Sequence, residues 1–215
     1  MQIGMEIEGK FCLGACSLAG RALLWHSKGH EFEPRQVHFF VLLYLNMRNM
    51  TIELQKLSLE DGEDIYQMLQ EIPASENGFE NHFYGLIFSE YKQKLKLKDE
   101  ESRGKNLSPG YVQQTLFWLY VNDRPVGVSK LRHQLTEQLR EHGGHIGYGI
   151  RASERGKGYA TKMLELTLIE AKKLGINEVL ITCNPDNIAS QKVVLKNKGV
   201  LEKKTEDSYY YWIDL

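Results

Sequence analysis

The stretch HIGYGIRASERGKGYATKMLEL, residues 145–166, changes its period halfway along. Its first seven residues read as a glycine-rich strand. Its last residues carry Met163 and Leu164, and the continuation adds Leu168, Ala171 and Leu174 at helical spacing. Between them lies RASERGKGYA (151–160), with two arginines, a lysine and two glycines. A strand that feeds a glycine-rich turn at a helix N-terminus builds an anion seat. The first N–H groups of a helix have no partner within it, and the helix dipole makes that end partly positive. Glycine lets the backbone approach a phosphate and take turn geometry closed to other residues. Arg155 and Lys157 add charge, so diphosphate recognition is the expectation. The spacing matches neither G-x-x-x-x-G-K-[ST] nor G-x-G-x-x-G, which sets aside the two common nucleotide-loop grammars.

The flanking sequence has regular grammar from Met50 onward. TIELQKLSL (51–59) reads as a strand, and Ser58 is placed to cap a helix through Ile65, Met68, Leu69 and Ile72 that Pro73 ends. A second helix is expected over 81–97, with Phe83, Ile87, Tyr91 and Leu95 on one side, followed by a polar loop over 98–110. TLFWLYV (115–121) and VGVSKLR (126–132) flank the turn NDRP as a hairpin. After the 159–174 helix, with Lys172, Lys173 and Gly175 at its C-terminal end, EVLITC (178–183) reads as a buried strand. A helix over 188–198 and a closing strand over 208–215 complete the order. The expected class is α/β, a central mixed sheet with helices on both faces.

Composition narrows the function. Hydrophobic residues make up 42% and charged residues 26% of 215 residues, the balance of a globular protein with one sizeable domain. A net charge of −1 argues against a generic nucleic-acid partner. Three cysteines, Cys12, Cys16 and Cys183, form no disulfide framework and no metal-ligand set, so a reducing, cytoplasmic setting and no metal are expected. FCLGACSLAGRALLW (11–25) is preceded by Glu6 and Glu8 and interrupted by Arg21, unlike a secretory leader. VHFFVLLYLNM (37–47) is too short to span a bilayer, so no membrane partner is expected.

The residues Arg155, Gly158 and Ala160 spell R-x-x-G-x-A, and with the preceding strand, the following helix and CNPDNIAS (183–190) the region resembles the GNAT superfamily of N-acetyltransferases. The resemblance covers about Met50 to Leu215. GGHIGYGIR, CNPDNIAS and YYYWIDL are most similar to a bacterial subgroup of predicted acetyltransferases of unknown acceptor. It implies acetyl-CoA as co-substrate, with its diphosphate on the backbone amides of Arg155, Gly156, Lys157, Gly158, Tyr159, Ala160 and Thr161. It also implies that Asn187 contacts the pantetheine arm or diphosphate region. Asn187 can equally cap the next helix with Ser190 in its first turn, and both roles are compatible. The strand 145–151 is implied to splay from 178–183 and pair with the pantetheine arm, with Gly147 and Gly149 making room. Their other reading is a weakened or bulged strand.

The implied reaction moves an acetyl group from a thioester to a primary amine by direct attack in a ternary complex. It needs orientation of two substrates, removal of a proton and stabilisation of an oxyanion. A backbone N–H near Ile150 is the expected oxyanion partner. Many members of the family protonate the leaving thiolate with a tyrosine in the helix after the asparagine. SQKVVLKNKG (190–199) has none, which leaves water, Ser190 or another tyrosine. For the base, His145 has a suitable intrinsic pKa, and Glu71 and Glu76 lie where the acceptor pocket is implied. The alternatives are a strand-start histidine with a structural role and solvated surface carboxylates. Cys183 reads as a packing residue. The acceptor, a small-molecule or peptide amine, is not specified by the sequence. A non-catalytic acyl-CoA sensor is the second functional class, and a nucleotide-binding module the third.

Residues 1–49 lack the strand–turn–helix order of the rest. They read as an extension dispensable for the 50–215 domain. Phe39, Phe40, Val41, Leu42 and Leu43 supply the opposing reading, a segment packed on the domain or on a second subunit in a homodimer.

Overall fold

Asn122 and Asp123 both adopt positive φ, +49° and +61°. That is the two-residue turn whose twist matches a hairpin, and it joins the strands at the centre of the sheet. The computed structural model describes residues 50–215, and the expected extension, with Cys12 and Cys16, lies outside the described residues. From Thr51 onward these residues form one unit. In chain order its elements are β1 (Ile52–Lys56), α1 (Glu63–Gln70), β2 (Ser75–Glu76), β3 (Phe79–Glu80), α2 (Phe88–Ser102), β4 (Gln114–Val121) and β5 (Arg124–Arg132). They continue with α3 (Glu137–Glu141), β6 (Ile146–Ile150), α4 (Tyr159–Lys173), β7 (Glu178–Cys183), α5 (Ile188–Lys196), β8 (Val200–Lys204) and β9 (Tyr209–Asp214).

The strands form a four-stranded sheet ordered β1-β4-β5-β6 and a three-stranded sheet ordered β7-β9-β8, with β2 and β3 as a separate short hairpin. Every ladder is antiparallel. Period-two alternation sends Leu116, Trp118 and Val128 to one face, where they pack against Ile65, Met68 and Leu69 of α1 and Tyr91 and Leu95 of α2. Phe117, Leu131 and Ile146 go to the other face, against Leu164, Leu168 and Ala171 of α4 and Val194 of α5. The class is α/β with helices on both faces, as expected, while the expected central mixed sheet is two sheets whose ladders are all antiparallel.

Five local features depart from the sequence reading. Ser58 does not cap α1: its N–H bonds Asp61 Oδ2 at 2.9 Å in a turn, and the helix begins at Glu63 behind Gly62. The second helix begins at Phe88 rather than near Asn81. Buried Asn81 donates its amide to the carbonyls of Leu69 and Ile72 at 2.8 and 2.7 Å, capping the end of α1 and holding 81–87 as a loop. Glu90 then accepts from Ile87 N–H at 3.0 Å, so α2 runs into the stretch expected to be loop. The hairpin β2–β3 and the edge strand β8 were not expected. Asn77 and Gly78, with φ of +51° and +83°, make the β2–β3 turn.

Candidate active site

The two sheets meet where β6 and β7 start to run side by side. His145 N–H donates to Leu180 O at 2.7 Å, and Leu180 N–H donates to His145 Nδ1 at 2.9 Å. No ladder joins β6 to β7 beyond that junction. The register shows which groups this leaves. Arg132 N–H donates to His145 O and Arg151 N–H to Val126 O, and hydrogen-bonded pairs alternate along an antiparallel ladder. Gly147 and Gly149 therefore bond β5, while the backbone groups of Ile146, Tyr148 and Ile150 turn away from it.

A cleft of about 570 Å³ lies along that edge. Its lining includes Ile150, Arg155, Gly156, Gly158, Tyr159, Ala160, Thr161, Asn187 and Ser190. Gly158 precedes α4 with φ +86°, and Gly156 has φ +76°; both are turn positions that favour glycine. Among the described residues, the backbone N–H groups from Gly156 to Ala160 donate to no protein acceptor, whereas Thr161 N–H bonds Gly158 O at 3.1 Å. A row of free N–H groups at a helix start is the geometry that anions take. The Lys157 ammonium is not part of the lining; it pairs with Glu154 at 2.7 Å, and Glu154 also meets Arg124 at 3.1 Å. The carboxylate beside the seat is thereby neutralised. These features fit an acyl-CoA diphosphate.

On the opposite wall, Asn187 caps α5: its Oδ1 accepts from Ser190 N–H at 3.0 Å. Ser190 Oγ lies 2.7 Å from the Tyr148 hydroxyl and 3.3 Å from Cys183 Sγ. Burial pushes the Tyr148 and Cys183 pKa values up, so both stay protonated at neutral pH. Cys183 is buried and packs in the core.

The acid–base candidates part company. His145 is buried and does not line the cleft. Burial, then Arg140 and Arg132, push its pKa down to about 4. Its Nδ1 already accepts from Leu180, which leaves the ring proton on Nε2. Glu71 is also absent from the lining. It accepts from Arg151 Nε at 2.8 Å, makes a second contact with Arg151 Nη2, and accepts from Ser153 Oγ at 3.1 Å. Those Arg151 hydrogen bonds hold its carboxyl below the usual range. Glu76 does line the cleft, paired with Arg155 Nη1 at 3.0 Å and Nη2 at 2.5 Å.

The glycines of β6 have a use that their spacing did not reveal. A Cβ on Gly149 would stand 3.2 Å from the Phe79 ring and 3.3 Å from Ile72, and one on Gly147 would stand 3.5 Å from Phe79. The missing side chains seat Phe79, which lines the cleft, on the face of β6. Sequence reasoning also missed His142, Thr182 and Ser208 in the lining, and Lys192 and Lys196, one helical turn apart on α5. The lysine spacing was visible; the sign of the face was not. Among the described residues no cluster of His, Cys, Asp and Glu could hold a metal, and no helix is long and apolar enough to cross a membrane.

Comparison with known proteins gives this cleft its context. No curated protein sequence matches the chain significantly. Solved structures do match. The ribosomal L7/L12 α-N-protein acetyltransferase RimL in complex with coenzyme A is 18% identical, with a TM-score of 0.58 over 77% of this chain and 94% of that one. The microcin C7 self-immunity acetyltransferase MccE, solved with acetyl-CoA and AMP, is 15% identical, with a TM-score of 0.55 over 76% and 92%. The Campylobacter jejuni N-acetyltransferase PseH, solved with acetyl-CoA, is 13% identical, with a TM-score of 0.51 over 76% and 99%. These likenesses show the fold. The family description "Acetyltransferase (GNAT) domain" matches residues 51–200, and the chain belongs to that family.

Proposed function

We propose that the protein transfers the acetyl group of acetyl-CoA to a primary amine by direct attack in a ternary complex. The observation that supports this best is one cleft holding the free N–H groups of 156–160, the open edge of β6 and the Ser190 hydroxyl. The free amides from Gly156 to Ala160, with Lys192 and Lys196 nearby, hold the diphosphate. The outward backbone groups of Tyr148 pair with the pantetheine arm, and the Ile150 N–H stabilises the oxyanion. The amine nitrogen bonds to the carbonyl carbon as the carbon–sulfur bond breaks. Glu76 takes the amine proton, and Ser190, backed by Tyr148, gives a proton to the departing thiolate as it takes one up from water.

The setting proposed is cytoplasmic, with a small-molecule or peptide amine as acceptor and no nucleic-acid or membrane partner; a homodimer accords with this reading. RimL acts on a protein α-amine, so peptides with free α-amino ends join polyamines, aminoglycosides and amino acids as acceptors to test. Thiol release from acetyl-CoA across that panel is the experiment. Amine-dependent release supports the enzyme, and tight CoA binding with no release on any amine supports the sensor.

A further inference from the structure

Two carboxylates near the end of α1 meet two arginines ahead of α4. Glu71 pairs with Arg151, and Glu76 with Arg155. The pairs differ in kind. Arg151 is only 8% exposed and also donates to Pro125 O at 3.1 Å, so its pair braces the fold. Arg155 and Glu76 are 42% and 35% exposed, and both line the cleft. The rest of the Arg155 fork is also occupied, with Nε donating to Ile150 O at 3.0 Å. The guanidinium thus holds a carboxylate of the β2–β3 hairpin beside the free N–H groups of the anion seat. The hairpin itself lies across the cleft: Phe79 rests on β6, and a Cβ on Gly78 would stand 3.3 Å from Asn184 Oδ1.

We infer that Arg155 exchanges Glu76 for the cofactor diphosphate, so that cofactor binding uncovers Glu76 for the acceptor amine. The inference rests on the acetyl-CoA reading above. A guanidinium binds phosphate in the same forked manner as carboxylate. The diphosphate also gains the backbone amides of the seat, which Glu76 does not reach. An exposed ion pair is weak, worth up to about fivefold in an equilibrium constant, so giving it up costs little. The site is then self-screened. Before the cofactor arrives, the carboxylate that would attract a cationic amine is neutralised, and afterwards it is free. The acceptor therefore binds second.

Titration of CoA itself into the parent protein and four variants tests this. Glu76→Gln removes the competitor for Arg155 and should tighten CoA about two- to fivefold. Arg155→Gln should weaken it. In the double variant the gain from Glu76→Gln should vanish, because Arg155 is no longer there to be released. Glu76→Ala should repeat the tightening and covers a folding defect in the glutamine variant. Unchanged or weaker binding in both Glu76 variants, as a plain structural brace would give, overturns the inference. So does a gain that persists without Arg155. Absence of CoA binding by the parent protein overturns the functional reading itself.

Discussion

The Tyr148 hydroxyl on β6 lies 2.7 Å from Ser190 Oγ on α5, a hydrogen bond between the two walls of the cleft. In the proposed mechanism it stands in for a tyrosine on α5, since Ile188–Lys196 contains none. Ser190→Ala should lower kcat by about 10²-fold, the lower range for loss of a positioned acid. Tyr148→Phe keeps the serine and should cost less. The affinity for CoA should stay close to the parent in both. A serine variant with parental kcat would move the proton to water.

His145 predicts a stability effect in place of a catalytic one. Its pKa is about 4 in the folded protein against 6.5 as the ordinary value. Between those values the unfolded chain binds the extra proton, so stability is complete above pH 6.5 and is lost as pH falls toward 4. The loss has a ceiling of roughly 3 kcal/mol. Other groups titrate in the same range, so the readout is the difference between parent and His145→Asn. The melting temperature of the variant should fall less steeply from pH 7 to pH 4.5. Identical slopes would remove the histidine from the account.

Lys130 is buried, with its Nζ 5.6 Å from the Phe79 ring centroid and 3.5 Å from Glu80 O. Burial, then Arg132 and Lys98, with Glu101 and Glu80 opposing, bring its pKa down to about 7 from 10.5. The unfolded chain binds the extra proton between those values, so this site costs stability as pH drops through the window, and the cost is full below 7. Lys130→Met should therefore raise the melting temperature at pH 6, by about 1–3 kcal/mol of stability. The gain should shrink toward pH 10. A variant less stable than the parent at pH 6 contradicts this.

What was legible in the sequence follows from what repetition can carry. The strand at 178–183, the helix from Tyr159 and the hairpin around Asn122 and Asp123 have long periods or explicit turn residues, and they occur nearly where expected. The β2–β3 hairpin has two residues per strand, too few for any period, and it brings Glu76 and Phe79 to the cleft. Strand β8 is exposed at all five positions, so it shows no alternation. Asn81 misled through its chemistry: a polar residue at the head of an amphipathic pattern reads as a helix start, yet its amide is spent on the carbonyls of α1. The glycine turn ahead of α4 could be read because Gly156 and Gly158 lie two positions apart in sequence. His145 could not be placed, because its partner Leu180 is 35 residues away.

In the proposed function the cofactor diphosphate sits on the turn ahead of α4, where Gly158 is the residue closest to the helix start. Nothing lies within 4 Å of where a Cβ at Gly158 would stand, and its φ is +86°. A Cβ there meets no protein atom, and the backbone strain of a non-glycine residue costs about 1–2 kcal/mol. Gly158→Asp places a carboxylate beside the free N–H groups. Calorimetric titration of CoA into the parent and this variant, with circular dichroism as a check on folding, is the measurement. The expected result is a folded variant whose CoA affinity falls by at least tenfold. A folded variant that binds CoA as tightly as the parent would contradict it.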